Sequence, residues 1–341
     1  MPVHGQYVYV VNNGGNSVSG YSIGPGGALI AVPNSPFGTA AFANSVTVDR
    51  TSHFVYVASD SDNDIVGYSI GSGGTLTLVT EFVDPELRFT PLCVTASPKR
   101  DFVYATSLDY TLRAFSIGTD GKLTPFGPPL ATGFYPTCVA FDPKGHFAYV
   151  TNQGDNTVSE YKSRGNGVLT EVSGSPFSTE RRSPVAVVLS SRFLFVLSGQ
   201  SLFEPGFKGN KRTVSVYLRG PHDELTAAAG SPYQLPSVGL ALAIDPKEQF
   251  LYVTSDGYIS GFRINLNGTL TAVPGSPFPA ADFPLGIAAD PSGRFVYVVN
   301  FVANNISGYT IATDGSLTAM PTSPFASGQV PVAIAISNAI P

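Results

Sequence analysis

The chain has 341 residues, of which 43% are hydrophobic and only 13% charged, with 36 Gly, 28 Pro and no Trp. That apolar content excludes disorder, the scarcity of charge excludes long charged helices, and no run of roughly 18 apolar residues marks a membrane-spanning helix. A net charge of −5 argues against nucleic acid as a partner.

In chain order, one motif recurs. It appears as Tyr7-Val8-Tyr9-Val10, Phe54-Val55-Tyr56-Val57, Phe102-Val103-Tyr104-Ala105 and Phe147-Ala148-Tyr149-Val150. It continues as Leu194-Phe195-Val196-Leu197, Phe250-Leu251-Tyr252-Val253 and Phe295-Val296-Tyr297-Val298. The steps between the aligned aromatics are 47, 48, 45, 46, 57 and 45 residues. Each unit reads as four strands. An apolar stretch such as Pro136-Thr137-Cys138-Val139-Ala140-Phe141 stops at Asp142-Pro143-Lys144-Gly145, and the Tyr-Val strand follows. A polar loop leads to a third strand such as Asn305-Ile306-Ser307-Gly308-Tyr309, and a Gly-rich hairpin to a Leu-Thr strand that exits through Ser-Pro-Phe. Gly supplies the turns and Pro is excluded from central strands, so both collect between them.

Four strands at this period predict an all-β, seven-bladed β-propeller with four antiparallel strands per blade, one domain over 1–341. The blades fall at 1–42 plus 331–337, 43–90, 91–135, 136–183, 184–238, 239–283 and 284–330. Residues 331–336 are a first strand with nothing after it, and the N-terminus opens on a second strand. The C-terminal strand is therefore expected to complete the N-terminal blade and close the ring, leaving no free central edge. Because the repeat starts almost at Met1, the protein is expected to be cytoplasmic, or secreted or periplasmic with a leader removed.

The loops after the second and the outer strands share one face, the top, around the channel mouth. His4, His53, His146 and His222 all fall on the opposite face, where they read as solvated turn residues. No His-based zinc site or Ser-His-Asp arrangement is expected at the mouth. The top loops hold Glu86 and Arg88 in segment 81–89, then Glu180-Arg181-Arg182. A long blade 5 insertion, 199–212, carries Phe203, Glu204, Phe207, Lys208, Lys211 and Arg212, and Asp282-Phe283 precede blade 7. Arg88, Arg181 and Arg182 converging on a mouth would suit a carboxylate or phosphate; the alternative is loop charge that keeps the protein soluble. Asp60, Asp62, Asn63 and Asp64 resemble a calcium loop but lack its Gly and distant Glu, and Asp and Asn are ordinary turn formers. No cofactor is expected. Cys93 and Cys138 share one repeat position, filled elsewhere by Ser45, Ala186, Ala241, Gly286 and Ala333, and read as small buried thiols in preference to a disulfide or metal pair.

The Phe-Val-Tyr-Val strands, Asp-Pro-x-Gly turns and Gly-x-Leu-Thr hairpins resemble the YVTN-type, lactonase-like seven-bladed propellers, which include 6-phosphogluconolactonases and muconate-lactonising enzymes. The resemblance covers the whole chain. It implies working His and Arg residues at the start of inner strands. Here those positions are Asn44, Leu92, Thr137, Val185, Leu240, Leu285 and Val332, and none is His, Arg or Glu. Two functions follow as expectations. One is a lactonase-like hydrolase of a small anionic ligand, with Arg88, Arg181 and Arg182 on the anion and Glu86, Glu180 or Asp282 as general base. The other is a non-catalytic propeller that binds a ligand or protein through Tyr110, Tyr135, Phe203, Phe207, Phe283 and Phe301. Neither needs a membrane, and the protein is expected to be a monomer.

Overall fold

The computed structural model describes residues 5–84, 89–179, 183–199, 212–220 and 224–339. Seven antiparallel sheets follow one another along the chain as the blades of a propeller. The second strands are buried from end to end in five blades, as in Tyr7–Asn12, Phe147–Asn152 and Phe295–Asn300, and in the other two all but the opening Phe54 and Phe102 are buried. A strand covered on both faces has no polar side to show, so the Tyr-Val alternation sorts side chains between the two neighbouring blades.

The ring closes as predicted. Pro331–Ile336 pairs with Tyr7–Asn12, with Val8 opposite Ile336 and Val11 opposite Ala333. Just past that strand, Tyr7 N donates to Ser337 Oγ at 2.9 Å and Ser337 N to Tyr7 O at 2.8 Å. Ser337 thus does for blade 1 what Asp49, Asp142, Asp245 and Asp290 do for blades 2, 4, 6 and 7, and Ser190 for blade 5. Asp142 Oδ1 accepts from His146 N and Phe147 N, and Asp290 Oδ1 from Arg294 N and Phe295 N. A short acceptor at this turn satisfies the amides that open the second strand.

The outer strand differs from the expectation of a simple exit. In blade 1 it is two pieces, Leu29–Ala31 and Phe37–Gly38, both paired with Ser17–Ile23. The Ser35-Pro36 bond between them is cis, and Ser35 Oγ accepts from Gly20 N at 2.9 Å, replacing the ladder bond the break removes. Ser175, Ser231, Ser276 and Ser323 do the same in blades 4 to 7. Blade 2 lacks Ser-Pro-Phe, and its outer strand Leu76–Val83 runs unbroken.

Tyrosine hydroxyls tie blade to blade. Tyr9, Tyr56, Tyr104, Tyr252 and Tyr297 donate to Gly74, Gly121, Gly167, Gly315 and Gly27, each the carbonyl of the next blade's Gly-rich hairpin, at 2.7–3.0 Å. Blade 5 stands outside this series. Tyr149 of blade 4 turns back to Glu160 Oε1 of its own blade at 2.6 Å, and blade 5 has Phe195 where a hydroxyl would be needed. Arg219 of blade 5 makes a different link, stacking 4.8 Å over Phe147 and pairing with Asp142 at 3.6 Å.

Candidate functional site

The upper mouth is built from strained loop ends. The residue ahead of an inner strand is left-handed at Phe42, Tyr135, Ser183, Phe283 and Val330, with φ between 53° and 64°. Such backbone is costly for aromatic and β-branched residues and needs outside support. The loop after the second strand supplies it. Asn16, Asn156 and Asn304 accept through Oδ1 from Phe42 N, Ser183 N and Val330 N at 3.4, 2.8 and 2.6 Å. Asn63 takes the Thr90 hydroxyl instead, at 2.8 Å, and Asp62 Oδ2 accepts from Ala41 N at 2.7 Å. Asp62 and Asn63 of the acidic run therefore have a structural use, and among the described residues no group of three or more metal-ligating side chains converges.

Aromatic side chains cluster at these loop ends. Phe283 and Phe301 come together with ring centroids 6.2 Å apart, and Phe301 N donates to Phe283 O at 3.0 Å. On the other side of the ring, Tyr110 meets Phe134 at 4.6 Å and Phe134 meets Tyr135 at 5.6 Å. Asp282 is exposed beside Phe283. Of the predicted site residues, the structure thus places Asp282, Phe283, Phe301 and Tyr135 on the top loops. Glu86, Arg88, Glu180, Arg181, Arg182, Phe203 and Phe207 lie outside the described residues, as do His4 and His222. His53 and His146 sit in turns on the lower face. His53 Nδ1 lies 2.9 Å from Thr51 Oγ1, whose hydroxyl bonds Asp49. Asp290, Ser292 and Arg294 form the same arrangement in blade 7, which marks it as a turn device. A cleft of about 460 Å³ lined by Arg50, His53 and Asp101 opens on that side.

The sequence reading missed a charged cluster between blades 2 and 3. Arg113 pairs with Asp84 at 3.1 Å and Asp109 at 2.6 Å, and its guanidinium lies 4.8 Å over Phe89. Burial pushes the Asp109 carboxyl up, but bonds from Thr111, Arg113 and Ser107 outweigh it and hold the group below the usual range. Asp64 goes the other way. It is fully buried, and burial followed by repulsion from Glu81 and Asp62 raises it to about 7. The aligned blades carried a signal for Arg113, since Ser19, Ser159, Ser215, Ser260 and Ser307 hold its position elsewhere.

No protein-family model and no curated protein matches the chain. Solved structures match it along its length. A protein from Lactobacillus plantarum is 17% identical with a TM-score of 0.79, covering 98% of this chain and 99% of that one. A candidate 6-phosphogluconolactonase from Bacteroides fragilis is 16% identical at 0.78, with 99% of each chain covered. The periplasmic gluconolactonase PpgL of Pseudomonas aeruginosa is 16% identical at 0.76, again over 99% of each. At such identities the likeness is one of fold: the chain has the seven-bladed architecture of the lactonase-like propellers.

Proposed function

We propose that the protein is a lactonase-like hydrolase that takes a small anionic, lactone-type substrate at its upper mouth. The observation that carries this is the aromatic lining, with Phe283 and Phe301 on one side, Tyr110, Phe134 and Tyr135 on the other, and the exposed carboxylate of Asp282 beside the first pair. Aromatic faces hold a compact ring by area and shape, and a carboxylate beside it can accept a proton from water. The water oxygen adds to the ring carbonyl, the ring C–O bond breaks, and the proton passes to the departing alkoxide, leaving a hydroxy acid. Arg88, Arg181 and Arg182, which the repeat pattern of the sequence assigns to loops of the same face, would hold the substrate's anion and stabilise the oxyanion. Glu86 and Glu180 are the alternative bases. The reaction as written needs no cofactor and one subunit. A panel of sugar and aliphatic lactones tests it, with Asp282→Asn and Arg181→Ala expected to lower kcat/KM at least about ten-fold. Unchanged rates in Asp282→Asn, Arg181→Ala and the corresponding Glu86 and Glu180 variants would end it.

One observation favours a second reading, a propeller that binds without turnover. Asn44, Leu92, Thr137, Val185, Leu240, Leu285 and Val332 open the inner strands with no acid, base or cation. On that reading the same ligands bind saturably in calorimetry, Phe283→Ala and Phe301→Ala weaken them, and no product forms.

A further inference from the structure

The inner strands carry no charged residue, and their only nucleophilic sulfurs are Cys93 and Cys138, on adjacent blades. Both are half-buried, Cys93 packed against the cluster between blades 3 and 4 and Cys138 against that between blades 4 and 5, while Val94 and Val139 beside them are buried. Side chains at this level bridge to the next blade. Ser45 Oγ accepts from Val94 N at 3.0 Å, and Cys93 Sγ accepts from Val139 N at 3.5 Å. Cys138 Sγ lies 4.0 Å from Val139 O, so both sulfurs meet the backbone of Val139; the neighbouring Cys138 thiol outweighs burial and holds Cys93 below the ordinary thiol range, while Cys138 is pushed up. Of the two, Cys93 is the sulfur that ionises more readily. Across the ladder from Cys93 stands Thr106, fully buried, with a hydroxyl that has no partner. The matching Thr151 and Thr254 donate to Cys138 O and Ala241 O of their own blades. A buried hydroxyl left unbonded beside a sulfur is suited to an oxygen atom arriving there.

We propose that Cys93 and Cys138 form a thiol–disulfide pair, in which Cys93 reduces a small peroxide and Cys138 then closes a bond between blades 3 and 4. The Cys93 sulfur attacks one peroxide oxygen, the O–O bond breaks, and hydroxide leaves to take the Cys138 proton and become water. The Cys138 thiolate then displaces the second oxygen from the Cys93 sulfenic acid as hydroxide, which takes up the proton that Cys93 released to solvent on ionising and becomes the second water. Two thiols lose two electrons and two protons; one peroxide becomes two waters.

Hydrogen peroxide added to the folded full chain tests this by intact mass and thiol titration. The wild type is expected to lose the mass of two hydrogens and both titratable thiols, to remain a monomer on a non-reducing gel, and to recover with dithiothreitol. Cys138→Ser is expected to gain one oxygen, trapped by dimedone at Cys93, and Cys93→Ser to react at least about ten-fold more slowly. Thr106→Val, which keeps both sulfurs, should slow the first step. Equal reactivity of Cys93→Ser and wild type, a disulfide between two chains, or oxidation only after denaturation would each overturn the proposal. Melting curves of the variants that match the wild type show that the rates come from folded protein.

Discussion

Replacing Tyr56 by Phe removes one hydroxyl and leaves the ring in place. That hydroxyl donates to Gly121 O at 2.8 Å from a side chain with no exposed surface, so the carbonyl across the blade interface loses its partner where water does not readily replace it. The net worth of a buried hydrogen bond is about 1 kcal/mol and the orphaned acceptor adds to it, so Tyr56→Phe is expected to cost about 1–2 kcal/mol. Burial raises the Tyr56 hydroxyl well above the usual tyrosine range, so the tether stays protonated and its loss costs the same from pH 5 to 9. With an unfolding entropy near 2 cal/mol/K per residue, this corresponds to only about 2 °C in a chain of this length, so the denaturant midpoint is the better readout. Tyr252→Phe sits in another blade, and the double variant should be additive to within about 0.5 kcal/mol. Blade 5 provides the converse. Phe195→Tyr offers a hydroxyl to the blade 6 hairpin around Gly268 and should gain up to about 1 kcal/mol. If Tyr56→Phe, Tyr104→Phe and Tyr252→Phe all fall within about 0.3 kcal/mol of wild type, the tyrosines stabilise the ring by packing alone and the tether account is wrong.

Removing residues 331–341 strips the inner strand from blade 1 and uncovers Tyr7–Asn12, so the melting temperature should fall by ten degrees or more, or the chain should fail to fold; an unchanged melt removes the clasp. Ser337→Ala is the milder form and should cost about 1 kcal/mol. Asp64 binds a proton in the folded state up to about pH 7, well above its unfolded value, so its contribution is full below pH 4 and is lost as pH rises toward 7. Asp64→Asn should therefore raise stability by roughly 1–3 kcal/mol at pH 8 and leave it nearly unchanged at pH 4, which urea titrations at the two pH values will show. A variant whose gain is equal at both would assign the effect to packing.

Much of the fold was legible because each device is used several times. The Tyr-Val strand, the Asp turn and the clasp can all be read by aligning copies. The broken outer strand cannot. Ser-Pro-Phe looked like an exit because Pro ends a strand, whereas Ser35 Oγ repairs the ladder at Gly20 N and the chain re-enters the sheet at Phe37. Left-handed Phe42, Tyr135, Phe283 and Val330 were equally hidden, since no propensity places such residues at positive φ; distant asparagines hold three of the loop ends there.

Alignment finds what recurs, and a ligand that lacks seven-fold symmetry cannot be recognised by what recurs. A mouth made of seven equal loops offers the same amides and the same apolar ring in every direction. Selectivity has to come from blades that depart from the pattern, and the departures here are not scattered. Arg113 replaces the blade 3 serine and draws in Asp84 and Asp109; Glu160 replaces the glycine at positions 20, 67, 261 and 308 and captures Tyr149. Phe195 forgoes the blade 5 tether, and the 57-residue step to Tyr252 holds the insertion. The changes at Glu160 and Phe195 also give up the repeated tyrosine tether, while Arg219 links blade 5 to blade 4 in its own way, so the circle stays closed at the cost of its symmetry. A position that serves an asymmetric purpose has to be freed from the contact its counterparts make, and in this arc that freedom is visible as altered tethering.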